Sequence, residues 1–182
     1  MSKRSIENMF THDGKTVNVI GKTRVKTYHE LYNHLTELQK SKEISVHDNY
    51  LGDNVLAINI YKKKYLIKDL NCDHIEKTPE DVFKRLGSFL ATVEGTKAKQ
   101  KRWARKFYEE LFEGRFIPGG RVLAGAGDLY RLKTLANCFV TKIQKDEIDS
   151  IYKAAYECAR TYSYGGGIGV DISSLRPKDS VV

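Results

Sequence analysis

The sequence predicts an α/β protein in which a helical region precedes a strand-helix-strand unit. Two amphipathic helical patterns occupy residues 79–114, and two apolar segments of strand length flank a third helical pattern between residues 135 and 172. A strand, a helix and a second strand within about 40 residues are typical of a right-handed crossover in a parallel sheet. The 182 residues, 41% of them hydrophobic, suffice for the core of one domain or somewhat more than one.

Composition excludes several classes of protein. No apolar run approaches the ~18 residues of a membrane span, and the first residues lead into polar sequence rather than a signal peptide. We therefore expect a soluble, cytoplasmic protein. Three cysteines, Cys72, Cys138 and Cys158, stand at long, unrelated spacings, which favours neither a disulfide scaffold nor a metal site. The net charge of +8 favours anionic partners such as nucleotides or nucleic acids.

Three regions follow one another along the chain. Residues 1–53 form a polar extension of unknown role, residues 54–114 a helical subdomain, and residues 115–182 the start of the α/β part. The extension contains one periodic pattern, which predicts a short amphipathic helix. Its apolar positions are Tyr28, Leu31, Leu35 and Leu38. Residues 54–61 are apolar but too short to be assigned to a helix or a strand.

The first helix of the subdomain has clear start and stop signals. Thr78 is a suitable N-cap, Pro79 suits the first helical position, and the acids that follow favour the positive end of the helix dipole. Gly95 is the predicted end. The apolar stripe between these signals consists of Val82, Phe83, Leu86, Phe89, Leu90 and Val93.

A second helix is predicted over residues 97–113, with Trp103, Phe107 and Leu111 at a spacing of four. Its basic first half, residues 97–106, has two interpretations. One is a nucleic-acid-binding helix with an aromatic side chain, and the other is a solvated helix whose lysine stems cover the rim of a core.

A glycine-rich segment, R-F-I-P-G-G-R-V-L-A-G-A-G at residues 115–127, begins the α/β part. So many small residues imply close approach of the backbone to a neighbouring strand or to a ligand. The segment lacks the Gly-Lys-Ser/Thr ending of a P-loop, so by itself it is weak support for a phosphate site.

Cys138 lies in the first predicted strand, residues 135–143. A thiol in a parallel strand is most often a small buried hydrophobic group, and the second interpretation is chemistry. The flanking glycine-rich segments favour chemistry because they leave room for a ligand. Asp146 is the predicted N-cap of the following helix, which the glycines at 165–167 end before the second strand. The predicted stripe of that helix is Ile148, Ile151, Tyr152, Ala155 and Ala159.

Several short motifs stand in one order along residues 54–182. They are Y-L-I-K-D at 65–69, T-P-E at 78–80, R-F-I-P-G-G-R at 115–121, L-A-G-A-G at 123–127, N-C-F at 137–139, G-G-G-I-G at 165–169 and L-R-P at 175–177. In this order they resemble the start of the large catalytic subunit of ribonucleotide reductase. The resemblance is closest to the class that depends on adenosylcobalamin, whose site would lie outside this chain.

The resemblance implies a fold and an activity. The fold is a ten-stranded α/β barrel preceded by a helical subdomain, and this chain would supply the helices and the first barrel strands. The activity is the reduction of ribonucleoside di- or triphosphates to deoxyribonucleotides. Because a barrel interrupted after its first strands has open edges and an uncovered core, we expect a separate C-terminal half to complete it.

The resemblance also implies roles for individual residues. Cys138 matches a cysteine that, as half of a thiol pair, reduces the ribose 2′ position and becomes oxidised to a disulfide, which an external dithiol then reduces. Asn137, Cys138, Gly120 and Gly167 would contact the substrate. Gly119 and Gly120 stand where many members have serine or threonine, so backbone amides would have to bind the substrate phosphate.

Two further residues match the family's effector site. Asp146 falls where the ribose of a deoxynucleoside triphosphate or ATP effector is held, and Arg176 where an arginine meets the effector phosphates. No metal ligands are implied, and nucleic acid is not the expected partner. Two alternatives stay open at this point: a basic nucleic-acid-binding or regulatory protein that reuses the fold, and an inactive fragment.

Overall fold

The computed structural model describes residues 11–12, 15–16, 22–131 and 133–180. It divides into a helical unit, residues 1–132, and a crossover unit, residues 133–182. The helical unit contains a short antiparallel pair, β1 (Thr11–His12) and β2 (Lys15–Thr16), and a series of helices. These are α1 (Lys22–Lys40), α2 (Val55–Ile60) with a π-helical turn (Tyr61–Tyr65), α3 (Pro79–Ala91), α4 (Lys97–Phe112) and α5 (Gly120–Gly125).

Helix α1 confirms the amphipathic pattern predicted within the N-terminal extension. Leu31, Leu35 and Leu38 are buried in the same core cluster as side chains of α3 and α4. Burial of three leucines contributes on the order of several kcal/mol, at about 1.5–3 kcal/mol for each side chain. The extension therefore contributes to the core of the helical unit.

Helix α3 begins with the predicted cap. The Thr78 side chain accepts a hydrogen bond from the Asp81 amide, and the Asp81 carboxylate accepts from the Lys77 and Thr78 amides. Burial alone would raise the pKa of Asp81, but these hydrogen bonds and the Lys84 ammonium, 3.1 Å away, lower it below its ordinary value. The helix ends at Ala91, so Val93, which is exposed, is not part of the stripe.

Helix α4 packs on α3 through small and aromatic side chains. Ala104, Tyr108 and Leu111 are buried, while Trp103 packs against the core at its edge. The two backbones approach so closely that a Cβ at Gly87 would lie 2.8 Å from the Ala104 carbonyl oxygen. Since Trp103 belongs to the core rim, the arrangement agrees with the solvated-helix interpretation of residues 97–106.

Two segments that the sequence left open are helical. Residues 55–60 form α2, and the glycine-rich segment contains the short helix α5. The close approach predicted for this segment occurs at Gly127, where a Cβ would lie 2.8 Å from Cγ of Arg85. The neighbour at this position is a side chain, whereas the sequence left a neighbouring strand and a ligand as the two alternatives.

Arg85 is the centre of a buried polar cluster. Its side chain is 1% exposed, and its Nε donates to Oε1 of Glu76 at 2.7 Å. Its other nitrogens donate to the carbonyl oxygens of Tyr65, Leu123 and Ala126. Glu76 also accepts from the Ile67 amide at 2.8 Å. The Arg85 guanidinium thus connects α3 to the segments that precede and follow it in the sequence.

The crossover unit has the predicted order of strand, helix and strand. β3 (Cys138–Lys142) and β4 (Gly167–Asp171) pair in parallel, and α6 (Ile148–Ser163) connects them. Within the described residues no further strand joins this pair, so the sheet is not closed, as expected of an incomplete barrel. The strand that contains Cys138 was expected to be buried, but most of its residues are exposed.

The face that α6 presents to the strands differs from the predicted stripe. Ala154 is the buried residue of this helix, whereas Ile148 and Tyr152 are 70% and 69% exposed. The Thr141 hydroxyl on β3 donates to the Glu157 carboxylate at 2.6 Å, which places a polar position against the sheet. In the described part of the chain, no helix is long and apolar enough to span a membrane.

Candidate functional site

Three of the predicted substrate residues meet at the amino ends of the two strands. Cys138 is the first residue of β3 and pairs in register with Gly167, the first residue of β4. The Gly167 amide donates to the Asn137 carbonyl oxygen at 2.8 Å. The Cys138 thiol is free and exposed, so the inert buried thiol that the sequence favours locally is not what the structure contains.

The surroundings of Cys138 leave space for a ligand. Gly167 presents no side chain opposite the thiol, and a Cβ there would meet only the Asn137 carbonyl oxygen, at 3.5 Å. An exposed thiol is chemically accessible for exchange with other thiols and disulfides. Gly120, the fourth predicted substrate residue, is the first residue of α5 in the helical unit, and its part in substrate binding stays a prediction.

Gly166, in the glycine run before β4, has no space for a side chain. A Cβ at Gly166 would lie 2.8 Å from both the Phe139 ring and the Thr161 methyl group. We expect Gly166→Ala to lower the free energy of unfolding by about 1–3 kcal/mol, the usual cost of overpacking. Gly169→Ala is the matched control, since nothing lies within 4 Å of the added methyl. Equal urea midpoints for the two variants would contradict this packing.

The two predicted effector residues meet beyond the carboxyl ends of the same strands. Nε of Arg176 lies 2.9 Å from Oδ2 of Asp146, and the Arg176 amide donates to the same oxygen at 3.3 Å. The two side chains are 40% and 27% exposed. With about 3.3 Å per residue, five-residue strands separate this pair from Cys138 by roughly 15 Å.

Asp146 is not the N-cap of α6, so that prediction was wrong. Glu147 occupies the N-cap position and makes no side-chain cap bond. The Asp146 carboxylate instead binds Arg176, because the segment after β4 returns beside the turn before α6. Ser150, in the first turn of α6, stabilises the segment before the helix, because its Oγ accepts from the amides of Gln144 and Lys145 at 3.0 and 3.1 Å.

Other residues that stabilise the turn before α6 were not identified from the sequence. The Ser174 hydroxyl donates to the Ile143 carbonyl oxygen at 2.6 Å, and the Ile143 amide donates to the Asp171 carbonyl oxygen. Asp171 accepts from the amide and hydroxyl of Ser173, which lowers the pKa of Asp171. The D-I-S sequence at 171–173 is a signal for such a turn, whereas nothing local marks Ser174.

No group of His, Cys, Asp and Glu side chains suited to a metal ion occurs among the residues that the structure describes. The crossover unit has a candidate site at each end of its strands. At one end an exposed thiol lies beside a glycine, and at the other a carboxylate is paired with a guanidinium.

Comparison with known families accounts for both units. Residues 51–131 match the family model described as the all-alpha domain of ribonucleotide reductase, and residues 136–182 match the model of its barrel domain. Two consecutive domains of one enzyme, in the correct order, cover more than two thirds of the sequence. The chain belongs to the ribonucleotide reductase large-subunit family. It contains the helical domain and the first part of the barrel.

Individual relatives agree with this assignment. The chain is similar to the ribonucleoside-diphosphate reductase subunit alpha of Helicobacter pylori, with 32% identity over 129 residues, which is 71% of this chain and 16% of the relative. It is 33% identical over 103 residues to the vitamin B12-dependent ribonucleoside-diphosphate reductase of Thermoplasma acidophilum, covering 57% of this chain and 13% of the relative. The chain thus spans about a sixth or less of the length of these reductases.

Proposed function

We propose that this chain forms the start of a ribonucleotide reductase that reduces ribonucleoside di- or triphosphates to deoxyribonucleotides in the cytoplasm. The observation that supports it most strongly is the grouping of residues in the crossover unit. Asn137, Cys138 and Gly167 lie at one end of the strand pair, and Asp146 and Arg176 lie at the other. A reducing thiol and an effector site would thus be joined by two short strands.

In this proposal Cys138 is one of two thiols that reduce the ribose. The C2′–OH bond breaks, C2′ gains a hydrogen, and the hydroxyl leaves as water, while the two thiols lose their hydrogens and form a disulfide. Cys158 is on α6 rather than on a strand that faces Cys138, so the second thiol would come from the remainder of the barrel. An external dithiol restores both thiols by exchange.

The exposed surface of the crossover unit supports a requirement for the remainder of the barrel. Val140 is 86% exposed, and Ile148 and Tyr152 on α6 are nearly as exposed. Apolar side chains grouped on one small unit favour burial against further structure. We propose that barrel strands from outside this sequence, in the same or a separate polypeptide, cover this surface.

The radical that starts the reaction would come from adenosylcobalamin, because one of the relatives is named as vitamin B12-dependent. Other relatives, such as the reductase of Helicobacter pylori, are not so named. We assign no residue of this chain to the cofactor. The thiol chemistry of Cys138 is the same whichever group generates the radical.

Arg176 would bind the phosphates of a deoxynucleoside triphosphate or ATP effector, and Asp146 its ribose. A planar guanidinium suits phosphate oxygens, and a carboxylate accepts from ribose hydroxyls. Nε of Arg176 binds Asp146 at 2.9 Å, which positions the two side chains beside each other. The other N–H groups of the guanidinium would then bind the effector phosphates.

The effector site gives a direct test of this assignment. In the full reductase that contains this segment, we expect Arg176→Ala to weaken the response to deoxynucleoside triphosphates about 10- to 100-fold, since a charge-assisted hydrogen bond contributes about 1.5–3 kcal/mol. Arg160→Ala is the control, because Arg160 lies in α6 and its guanidinium stacks on the ring of Tyr164. The measurement is turnover against effector concentration. An unchanged response in Arg176→Ala would refute the effector role.

A further inference from the structure

A small cavity of about 160 Å³ lies at the amino end of α3, beside the capping residue Thr78. Its lining includes the aromatic residues Tyr50 and Tyr61, the apolar Leu66 and the acidic residues Asp48 and Glu80. All belong to the helical unit. The reductase chemistry proposed above uses none of them.

Glu80 is the unusual residue of this cavity. It is 5% exposed, and its Oε1 has no hydrogen-bond partner among the residues that the structure describes. Lys62 and Lys77 also line the cavity, but both are exposed, and neither forms a salt bridge with Glu80 in the described chain. Burying a carboxylate oxygen without a hydrogen-bond partner costs free energy. A bound hydrogen-bond donor would therefore stabilise Glu80.

Two acidic residues close to Glu80 in the sequence show which partners bind a carboxylate in this unit. Glu76 is also 5% exposed, and the Arg85 guanidinium binds it at 2.7 Å. Asp81 has the Lys84 ammonium at 3.1 Å and two backbone amides. Glu80 is as buried as Glu76 but has no such cation. A cation of the same kind would therefore suit the Glu80 carboxylate.

The walls of the cavity favour a flat cation. A carboxylate only accepts hydrogen bonds, so the ligand must donate them. A guanidinium is planar, is weakly hydrated, binds carboxylates with two N–H groups and stacks on aromatic rings, whereas an ammonium is compact and strongly hydrated. Tyr50 and Tyr61 are the aromatic residues of the lining.

The tyrosines add no competing charge. Burial, followed by the influence of Tyr50, Tyr65 and Glu80, raises the pKa of Tyr61 to about 12. Burial likewise raises the pKa of Tyr50, whose hydroxyl donates to the Phe112 carbonyl oxygen at 2.7 Å. Both phenols are therefore neutral at physiological pH. The acidic residues of the lining are Glu80, which is buried, and Asp48, which is exposed.

We propose that the cavity at the start of α3 is a guanidinium-binding site in which Glu80 accepts the N–H groups between Tyr50 and Tyr61. The guanidinium has two possible sources. It belongs to a free small molecule, or it is the arginine side chain of a protein segment that docks on this unit. The chemistry of recognition is the same for both.

Titration of the chain with defined probes tests the site. The probes are agmatine, for a free guanidinium, and the capped tripeptides acetyl-Gly-Arg-Gly-amide and acetyl-Gly-Lys-Gly-amide, observed by amide chemical shifts and calorimetry. We expect saturable binding of at least one guanidinium probe, with shifts centred on Tyr50, Tyr61 and Glu80, and weaker binding of the lysine peptide. Agmatine binding indicates a free ligand, and binding of the arginine peptide alone indicates a protein segment.

Two variants distinguish binding at this site from nonspecific attraction of a cation to acidic surface residues. Glu80→Gln should weaken binding at least tenfold, whereas Glu37→Gln, which neutralises an exposed acid on α1, should leave it unchanged. Because Glu80→Gln removes an unpartnered buried charge, its urea midpoint should be equal to or above that of the parent chain. Absence of saturable binding, equal affinity for the lysine peptide, unaltered binding in Glu80→Gln, or a lower midpoint in that variant would each overturn the proposal.

Discussion

Replacement of Arg85 by methionine is expected to lower the free energy of unfolding of the chain by about 3–5 kcal/mol. The substitution keeps most of the volume but removes the guanidinium that binds Glu76. It also leaves the carbonyl oxygens of Tyr65, Leu123 and Ala126 without their donor. Typical domains have only about 5–15 kcal/mol of stability, so this one change should shift the urea midpoint far more than any surface substitution.

The double variant Glu76→Leu, Arg85→Met separates the cost of an unpaired charge from the loss of the pair. We expect it to be more stable than Arg85→Met alone, because the buried carboxylate is removed as well. Arg105→Met is the surface control. Arg105 binds Glu109 at 2.7 Å, but both side chains are more than a third exposed, and such pairs contribute about 0–1 kcal/mol. Equal midpoints for Arg85→Met and Arg105→Met would contradict the central place of Arg85.

Local signals in the sequence were sufficient where a feature depends on neighbouring residues. Thr78 and Pro79 mark the start of α3 because capping involves only residues within one turn. The leucines of α1 and the order of β3, α6 and β4 follow from hydrophobic periodicity for the same reason. The order of helices and strands was therefore predictable from local signals, whereas the family was recognised from the resemblance of the ordered motifs.

Features that depend on distant residues were not predictable in this way. Arg85 looks like one more basic residue of an amphipathic helix, yet it binds carbonyl oxygens about 40 positions further along the chain. Asp146 has the residue type of an N-cap, but Arg176, 30 positions away, takes its carboxylate. On α6, Glu157 binds Thr141 of β3, and a periodicity of apolar residues does not mark such a polar contact.

The candidate site was predictable only through resemblance. Local reasoning favoured a buried, inert Cys138, and the structure has an exposed thiol at the start of β3. The general rule for open parallel sheets places ligands at the carboxyl ends of strands, whereas Cys138 lies at the amino end. The motifs on either side of Cys138, and not strand geometry, identified it as a candidate for chemistry.

The second large effect is expected at Cys138 itself. A serine at this position keeps the size of the side chain but cannot form a disulfide, so the ribose would lose one of its two reducing thiols. We expect Cys138→Ser to lower turnover by about three orders of magnitude or more, as is usual when a group that changes covalently in the reaction is removed. Cys158→Ser, in the same unit but on α6, is the matched control and should retain activity.

The most direct test of the account is formation of deoxyribonucleotides by the full reductase that contains this segment. The assay compares the parent enzyme, Cys138→Ser and Cys158→Ser with a small dithiol as the only reductant. We expect product from the parent and from Cys158→Ser, and none above background from Cys138→Ser. Sustained turnover by Cys138→Ser would contradict the role of Cys138 as a substrate-reducing thiol.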